Sequence, residues 1–268
     1  MINKEKVVVY LTFSCAFMIL LFHYIAFGKA TVMQKFDTSD RLTLNILFIG
    51  NSYVFFNDMP HILQNLARSD PSAAFNVETE MLVEGGATLA YFLNSRKAQS
   101  VIESKEWDYI VMQPQSEWAN NNSRIRNTEA ALSLWRKRIK QNGTRLVFFM
   151  TWARQDRVGW YQSSNFSQFK NHRAMYNRIN KHSVSLVKKY DMMLAPIGAY
   201  WQYALGHYPD LNLYDRDGSH PSSEGSFLIA LVFYKMLVDS TIEDITYWPR
   251  YINMQEKKAV LELVSKKF

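Results

Sequence analysis

The chain of 268 residues has one cysteine, Cys15, and it lies inside a long apolar run. That excludes a disulfide framework and a thiol nucleophile in the folded part. Glycine and proline are sparse, at 10 and 7 residues, no period of solenoid or propeller length recurs, and no segment is low in complexity. Repeat, collagen-like and linker-rich architectures are thereby excluded. No two histidines stand at ligand spacing on one helix and no cysteine is available to join them, so neither a metal nor another cofactor is expected. Basic residues exceed acidic ones, giving a net charge of +7, but they are scattered except at Arg136-Lys137-Arg138 and Lys140. That cluster reads as the solvated face of a helix, and nucleic acid is not an expected partner.

What is present is enough apolar material for a core: 48% of residues are hydrophobic and 15% aromatic. One globular domain is expected, preceded by an appendage. Val7 to Phe27 runs for 21 residues without a formal charge, after Lys4-Glu5-Lys6. At about 1.5 Å per residue, a helix of that length just spans a hydrocarbon core of roughly 30 Å. Residues 1–30 are therefore read as an N-terminal hydrophobic helix anchoring the chain in a membrane. The domain would sit on the extracytoplasmic side. The alternative is a signal peptide cut after Gly28 or Ala30, which would release a secreted protein. Residues 31–43 form a linker and 44–268 the domain.

Five short apolar runs, Leu44 to Ile49, Phe75 to Leu82, Trp107 to Met112, Arg145 to Thr151 and Met192 to Ile197, read as strands buried on both faces, hence parallel. Segments with helical spacing lie between and after them: Met59 to Ser69, Thr88 to Ser104, Thr128 to Gln141, His172 to Lys189 and Ser222 to Val238. Asp58 with Pro60 fits a capped helix start, and Asn142-Gly143 a helix stop. Such alternation predicts an α/β domain, a three-layer α/β/α sandwich around a central parallel sheet of about five strands. Its ligands would sit beyond the carboxyl ends of those strands.

At that edge stands Gly50-Asn51-Ser52-Tyr53, closing the first strand. Ser52 there is a candidate nucleophile, or else a loop serine that caps the next turn. A serine nucleophile needs a base, and the base needs an orienting group. Asp217-Gly218-Ser219-His220, just before the last long helix, offers both three residues apart. Gly85-Gly86-Ala87-Thr88 follows the second strand and could bring a backbone amide against a reacting carbonyl. Gln113-Pro114-Gln115-Ser116 follows the third and brings two side-chain amides. Trp118, Trp152, Trp160, Tyr161 and Trp201 fall in or near loops that could border the crevice, where their faces suit sugar rings, or else pack in the core.

In this order, GNSY, GGAT, QPQS and DGSH resemble the blocks of the SGNH hydrolases, the superfamily of the GDSL-like esterases and lipases. The resemblance covers most of residues 44–240 and extends to WDYIVMQPQS, FFMTWARQD and DGSHPSSEGSFLIALVFY. It implies a flavodoxin-like fold and a serine ester hydrolase with Ser52 as nucleophile, His220 as base and then acid, and Asp217 as its partner. It also implies an oxyanion hole made by the amides of Ser52 and Gly86 and by the side chain of Gln115. The third block departs from the family pattern, with Gln115 where an asparagine is usual and Gln113 where a glycine is usual. Gln113, Trp118 and Trp152 are expected to touch substrate, a small-molecule or carbohydrate ester. The alternatives are an O-acyltransferase acting on a glycan and a catalytically silent binding protein of the same fold.

Overall fold

The computed structural model describes residues 41–139, 143–156, 159–238 and 242–266. The apolar run, read as an anchor or a signal peptide, and nearly all of the linker lie outside the described residues. Among the described residues no helix is long and apolar enough to cross a membrane.

Five strands, β1 (Leu42–Gly50), β2 (Phe75–Val83), β3 (Tyr109–Met112), β4 (Arg145–Phe149) and β5 (Met193–Ala195), form one sheet in the order β2-β1-β3-β4-β5. Every pairing is parallel. Alternate residues of β1 enter opposite cores: Ile46 and Phe48 face one, Leu47 and Ile49 the other, all four fully buried. This two-sided burial is why the strand reads as a continuous apolar run and not as an alternating one. Ile49 pairs with Leu82 on one side and Met112 on the other, so β1, β2 and β3 end at the same edge. The chain leaves β1 toward β2 and returns on β1's other side as β3. The switch point, where an open parallel sheet leaves a crevice, thus lies between β1 and β3.

The helices cover both faces. A four-residue turn of helix α1 (Ser52–Phe55) follows β1, then α2 (Met59–Ser69), α3 (Arg96–Glu103), α4 (Asn122–Arg138), α5 (His172–Tyr190), α6 (Ile197–His207), α7 (Ser223–Leu237) and α8 (Met254–Ser265). Helices α2, α6, α7 and α8 pack on one core, and α3, α4 and α5 on the other. In α2, Met59, Ile62, Leu63 and Leu66 are buried at the spacing that makes one apolar stripe.

Several expected boundaries move. Thr88 to Ser95 is a string of turns, Tyr91 N–H to Thr88 O, Leu93 to Ala90 and Ser95 to Phe92, and α3 begins only at Arg96 under a Ser95 cap. Those turns bury Leu89 and Phe92 three apart, which imitates a helical period. The strand expected to reach Ile197 stops at Ala195, before Pro196, which has no N–H to give a ladder. α4 begins at Asn122, capped by Asn121, and its C-cap is Ile139, before the expected Asn142-Gly143 stop. Asp58 holds the N-cap position of α2 but in a left-handed conformation, φ 53°, without a side-chain cap bond.

Candidate active site

A Cβ on Gly50 would lie 2.5 Å from Gln113 Oε1 and 2.9 Å from Val54 Cγ2, so the position is closed to any side chain. The closeness is used: Gln113 Oε1 accepts the Asn51 N–H at 2.9 Å. The buried Asn51 side chain accepts the Tyr53 N–H at 3.2 Å, capping α1, and donates through Nδ2 to Ala87 O at 3.0 Å. Asn51, through its backbone N–H and its side-chain amide, thereby ties together the loops that follow β1, β2 and β3. Ser52 is the first residue of α1, so its N–H has no acceptor within the helix.

Leu213 to Ser222 folds back on itself, with Ser222 N–H bonded to Leu213 O and Asp215 N–H to His220 O. Asp217 Oδ1 accepts the N–H groups of Ser219 and His220, each at 2.9 Å, and Oδ2 lies 2.5 Å from His220 Nδ1. The other ring nitrogen, Nε2, is 2.8 Å from Ser52 Oγ. A carboxylate accepting at Nδ1 fixes the tautomer that leaves Nε2 free to accept the Ser52 proton. Burial alone would raise the Asp217 carboxyl, but bonds from the His220 ring and from the His220 and Ser219 amides outweigh it. The carboxyl is held below its ordinary range.

Aromatic residues hold this loop. Tyr53 OH meets Ser219 Oγ at 2.7 Å, Trp152 Nε1 donates to Ser219 O at 3.0 Å, and Trp160 Nε1 donates to Asp217 O at 2.8 Å. Burial raises the Tyr53 phenol above its usual value, so it stays a neutral hydrogen-bonding group. Phe56 stacks on the His220 ring at 4.1 Å, and Asn57 Nδ2 donates to Pro221 O and Ser226 Oγ, latching the serine loop to the histidine loop.

Gly86 and Gln115 follow the two strands that flank β1. Gly86 takes φ 68°, a left-handed conformation that suits glycine, it is exposed, and no described residue accepts from its N–H. Gln115 is half-buried; its Oε1 accepts the Glu117 N–H at 2.8 Å, and its Nε2 has only Ser116 Oγ at 3.5 Å. Among the described residues no three His, Cys, Asp or Glu side chains are grouped to hold a metal ion.

Neither a scan against protein-family models nor a search of curated proteins returns a match. Solved structures do match. A protein assigned to the SGNH hydrolases from Slackia heliotrinireducens is 26% identical, with a TM-score of 0.60 over 72% of this chain and 98% of its own. The domain belongs by fold to the SGNH hydrolase superfamily. A DUF4886 family protein from Bacteroides uniformis superposes with a TM-score of 0.70 at 17% identity, covering 83% of this chain and 93% of that one. Axe2, an acetylxylan esterase from Geobacillus stearothermophilus, gives 0.51 at 16% identity over 73% and 94%. At those identities the last two speak for the fold alone.

Of the SGNH blocks, the structure joins Ser52, Asp217 and His220 in one hydrogen-bonded line and sets Gly86 and Gln115 on adjacent loops. Two expected substrate contacts, Gln113 and Trp152, are corrected. Gln113 is fully buried beneath Gly50 and Asn51 and supports the serine turn. Trp118 is mostly buried, edge-on against Phe148, and with Gln115 it lines a cleft of about 480 Å³ beside α4, so its expected contact is not overturned. Trp152 is buried between Tyr53 at 4.4 Å and Trp201 at 4.1 Å, both nearly parallel to it. Tyr161 is buried as well, and Trp160, half-buried, spends its N–H on the acid loop. The residues overlooked in the sequence are Asn51, Tyr53, Phe56 and Asn57. An asparagine immediately before a short helix is a cap signal that was there to be read. For the other three no local spacing tells, because their partners lie in the distant 219–226 stretch.

Proposed function

We propose that the domain is a serine ester hydrolase that works through an acyl-enzyme. The observation that carries this reading is the unbroken line from Asp217 Oδ2 through His220 to Ser52 Oγ, with both links within hydrogen-bond reach at the carboxyl edge of the sheet. Ser52 Oγ attacks the ester carbonyl as His220 Nε2 takes its proton, and Asp217 stabilises the imidazolium. The oxyanion faces the N–H groups of Ser52 and Gly86 and the amide of Gln115. Collapse expels the alcohol, which receives the proton from His220. Water, deprotonated by His220, then attacks the acyl carbonyl; the bond to Ser52 Oγ breaks, the acid leaves, and His220 returns the proton to Ser52 Oγ. No step draws on a metal or cofactor.

The substrate on this reading is an acylated carbohydrate, acetyl or another small acyl group being removed. The acetylxylan esterase among the structures of like fold is consistent with it. The apolar run of residues 7–27 tethers the enzyme to a membrane, facing out of the cytoplasm. The test is labelling of the full chain, in mild detergent, by a fluorophosphonate probe, with the adduct mapped by mass spectrometry. An adduct on Ser52 that disappears in Ser52→Ala and needs His220 is expected. A folded wild type that takes no label at Ser52 and hydrolyses no aryl or sugar acetate would refute the reading.

A further inference from the structure

We propose that the alcohol half of the substrate is an uncharged saccharide of at least two rings, held in a polar cleft on the Phe56 flank of His220. This rests on the ester-hydrolase reading and deepens it. In that mechanism the leaving oxygen must come within reach of His220 Nε2 to receive its proton, so the alcohol departs along the histidine. One face of the His220 ring is covered by Phe56, 4.1 Å away and nearly parallel. Phe56 is half-buried, and it also forms part of the wall of a cleft of about 470 Å³. The size lies within the roughly 300–1,000 Å³ of small-molecule sites.

The rest of that wall is polar: Asn57, Asn212, Asp215, Arg216 and Glu224. Asn57, Asn212, Asp215 and Arg216 are exposed, and neither Arg216 nor Glu224 has an ion-pair partner among the described residues. Gln155, Asn212 and Tyr214 line this cleft and also a second one of about 290 Å³, whose far side carries Asp156, His172 and Asp210. There Asp156 Oδ2 is 2.5 Å from His172 Nδ1, and Gln202 Nε2 is 3.3 Å from His172 Nε2, which fixes that side chain. The two spaces therefore adjoin, and the first meets the histidine loop at Phe56 and Pro221.

The lining selects the ligand. An alkyl alcohol would strip water from Asp215, Arg216 and Glu224 and return no hydrogen bond, a costly exchange. Among the described residues that line the two spaces, a phosphorylated alcohol would meet four carboxylates, Asp156, Asp210, Asp215 and Glu224, against one guanidinium, Arg216. Hydroxyl groups on a sugar ring satisfy both signs, donating to the carboxylates and to Asn57 Oδ1 and accepting from Arg216 and Asn212. The partly exposed ring of Phe56 offers an apolar face beside them. The second space places a second ring near Asp156.

The experiment measures kcat/KM of the full chain on 4-nitrophenyl acetate, on hexyl acetate, and on mono-O-acetylated mono- and disaccharides of glucose, xylose and N-acetylglucosamine. For at least one sugar, the disaccharide should exceed the monosaccharide by about tenfold. Arg216→Ala and Glu224→Gln should each lower kcat/KM on that disaccharide about tenfold more than on 4-nitrophenyl acetate, the size of one lost bond to a charged group. Asp156→Asn should narrow the gap between disaccharide and monosaccharide. Active enzyme that prefers hexyl acetate, or shows no disaccharide advantage, or whose variants lose both activities equally, overturns the proposal and leaves the hydrolase standing. Wild type inactive on every ester, with Ser52 unlabelled, overturns both.

Discussion

Replacing Asn51 separates its two bonds, because different side chains can restore one without the other. Asn51→Ala removes the cap acceptor of Tyr53 N–H and leaves Ala87 O without its donor, both in a buried setting. A lost cap costs about 0.5–2 kcal/mol, and an orphaned buried acceptor roughly 1–3 kcal/mol. With partial relaxation the total is about 3 kcal/mol, and at about 2–4 °C per kcal/mol for a domain of this size the melting point should fall by about 10 °C. Asn51→Ser keeps a cap and should recover about 1 kcal/mol. Asn51→Asp caps as well as asparagine in isolated helices, yet it cannot donate to Ala87 O and turns a carboxylate toward that carbonyl, so it should melt below the serine variant. Thermal unfolding followed by circular dichroism gives the order wild type, Ser, Asp. In the same proteins kcat should fall while KM moves little, since the turn that carries Ser52 is disturbed and no substrate contact is removed. An aspartate variant equal to wild type would mean the tie to Ala87 carries nothing, and an alanine variant within a degree of wild type would sink the whole account.

Gly50→Ala forces a Cβ to within 2.5 Å of Gln113 Oε1. It should destabilise by about 1–3 kcal/mol, and Gln113→Ala in the same chain should recover part of that loss in urea unfolding, where simple addition of the two effects would contradict the packing. For pH, the folded Asp217 carboxyl lies below its unfolded value of about 3.9. Its contribution to stability is therefore complete above roughly pH 5 and disappears as pH falls through the lower folded value. The gap in melting temperature between wild type and Asp217→Asn should be constant above pH 5 and close below pH 4; a gap that widened on acidification would reverse the sign.

The sheet was legible because parallel strands are buried on both faces and so appear as apolar runs; all five runs became strands, each shifted by a few residues at most. Helices with one polar face, α2 and α5, were placed within a residue. α6 escaped notice because Ile197, Tyr200, Trp201 and Ala204 are buried in a segment with little polar contrast to set a period. α8 carried a readable sign, the Asn253 and Glu256 capping box, that went unused. Gly86 and Gln115 were singled out through the SGNH resemblance, whereas Ser52, Asp217 and His220, which the structure joins, could be picked out because each stands at a strand or loop end in a short motif. The residues that aim them could not, since Tyr53 to Ser219 and Asn57 to Ser226 are contacts between segments more than 160 positions apart. Aromatic side chains misled for a related reason. A tryptophan after a strand can turn outward to a ligand or inward to the core, and sequence position alone does not say which.

The two glutamines of the third block show what that ambiguity means for chemistry. Gln113 faces inward, fills the space against Gly50 and accepts the Asn51 N–H, so its departure from the SGNH pattern is mechanical: it braces the serine turn from the β3 side. The question of a third oxyanion donor then falls on Gln115 alone, whose Nε2 has no strong partner while Oε1 is held by Glu117 N–H. A side chain anchored through its acceptor and unspent at its donor is preorganised to give a hydrogen bond to a developing charge. Deleting one such donor costs about 100- to 1,000-fold in kcat. Gln115→Ala should lose that much on 4-nitrophenyl acetate with little change in KM or melting temperature, and Gln115→Glu, which keeps the length but not the donor, should lose as much or more. If Gln115→Ala kept kcat within about threefold, the oxyanion would have only the Ser52 and Gly86 amides, and the altered third block would mark a weaker hole.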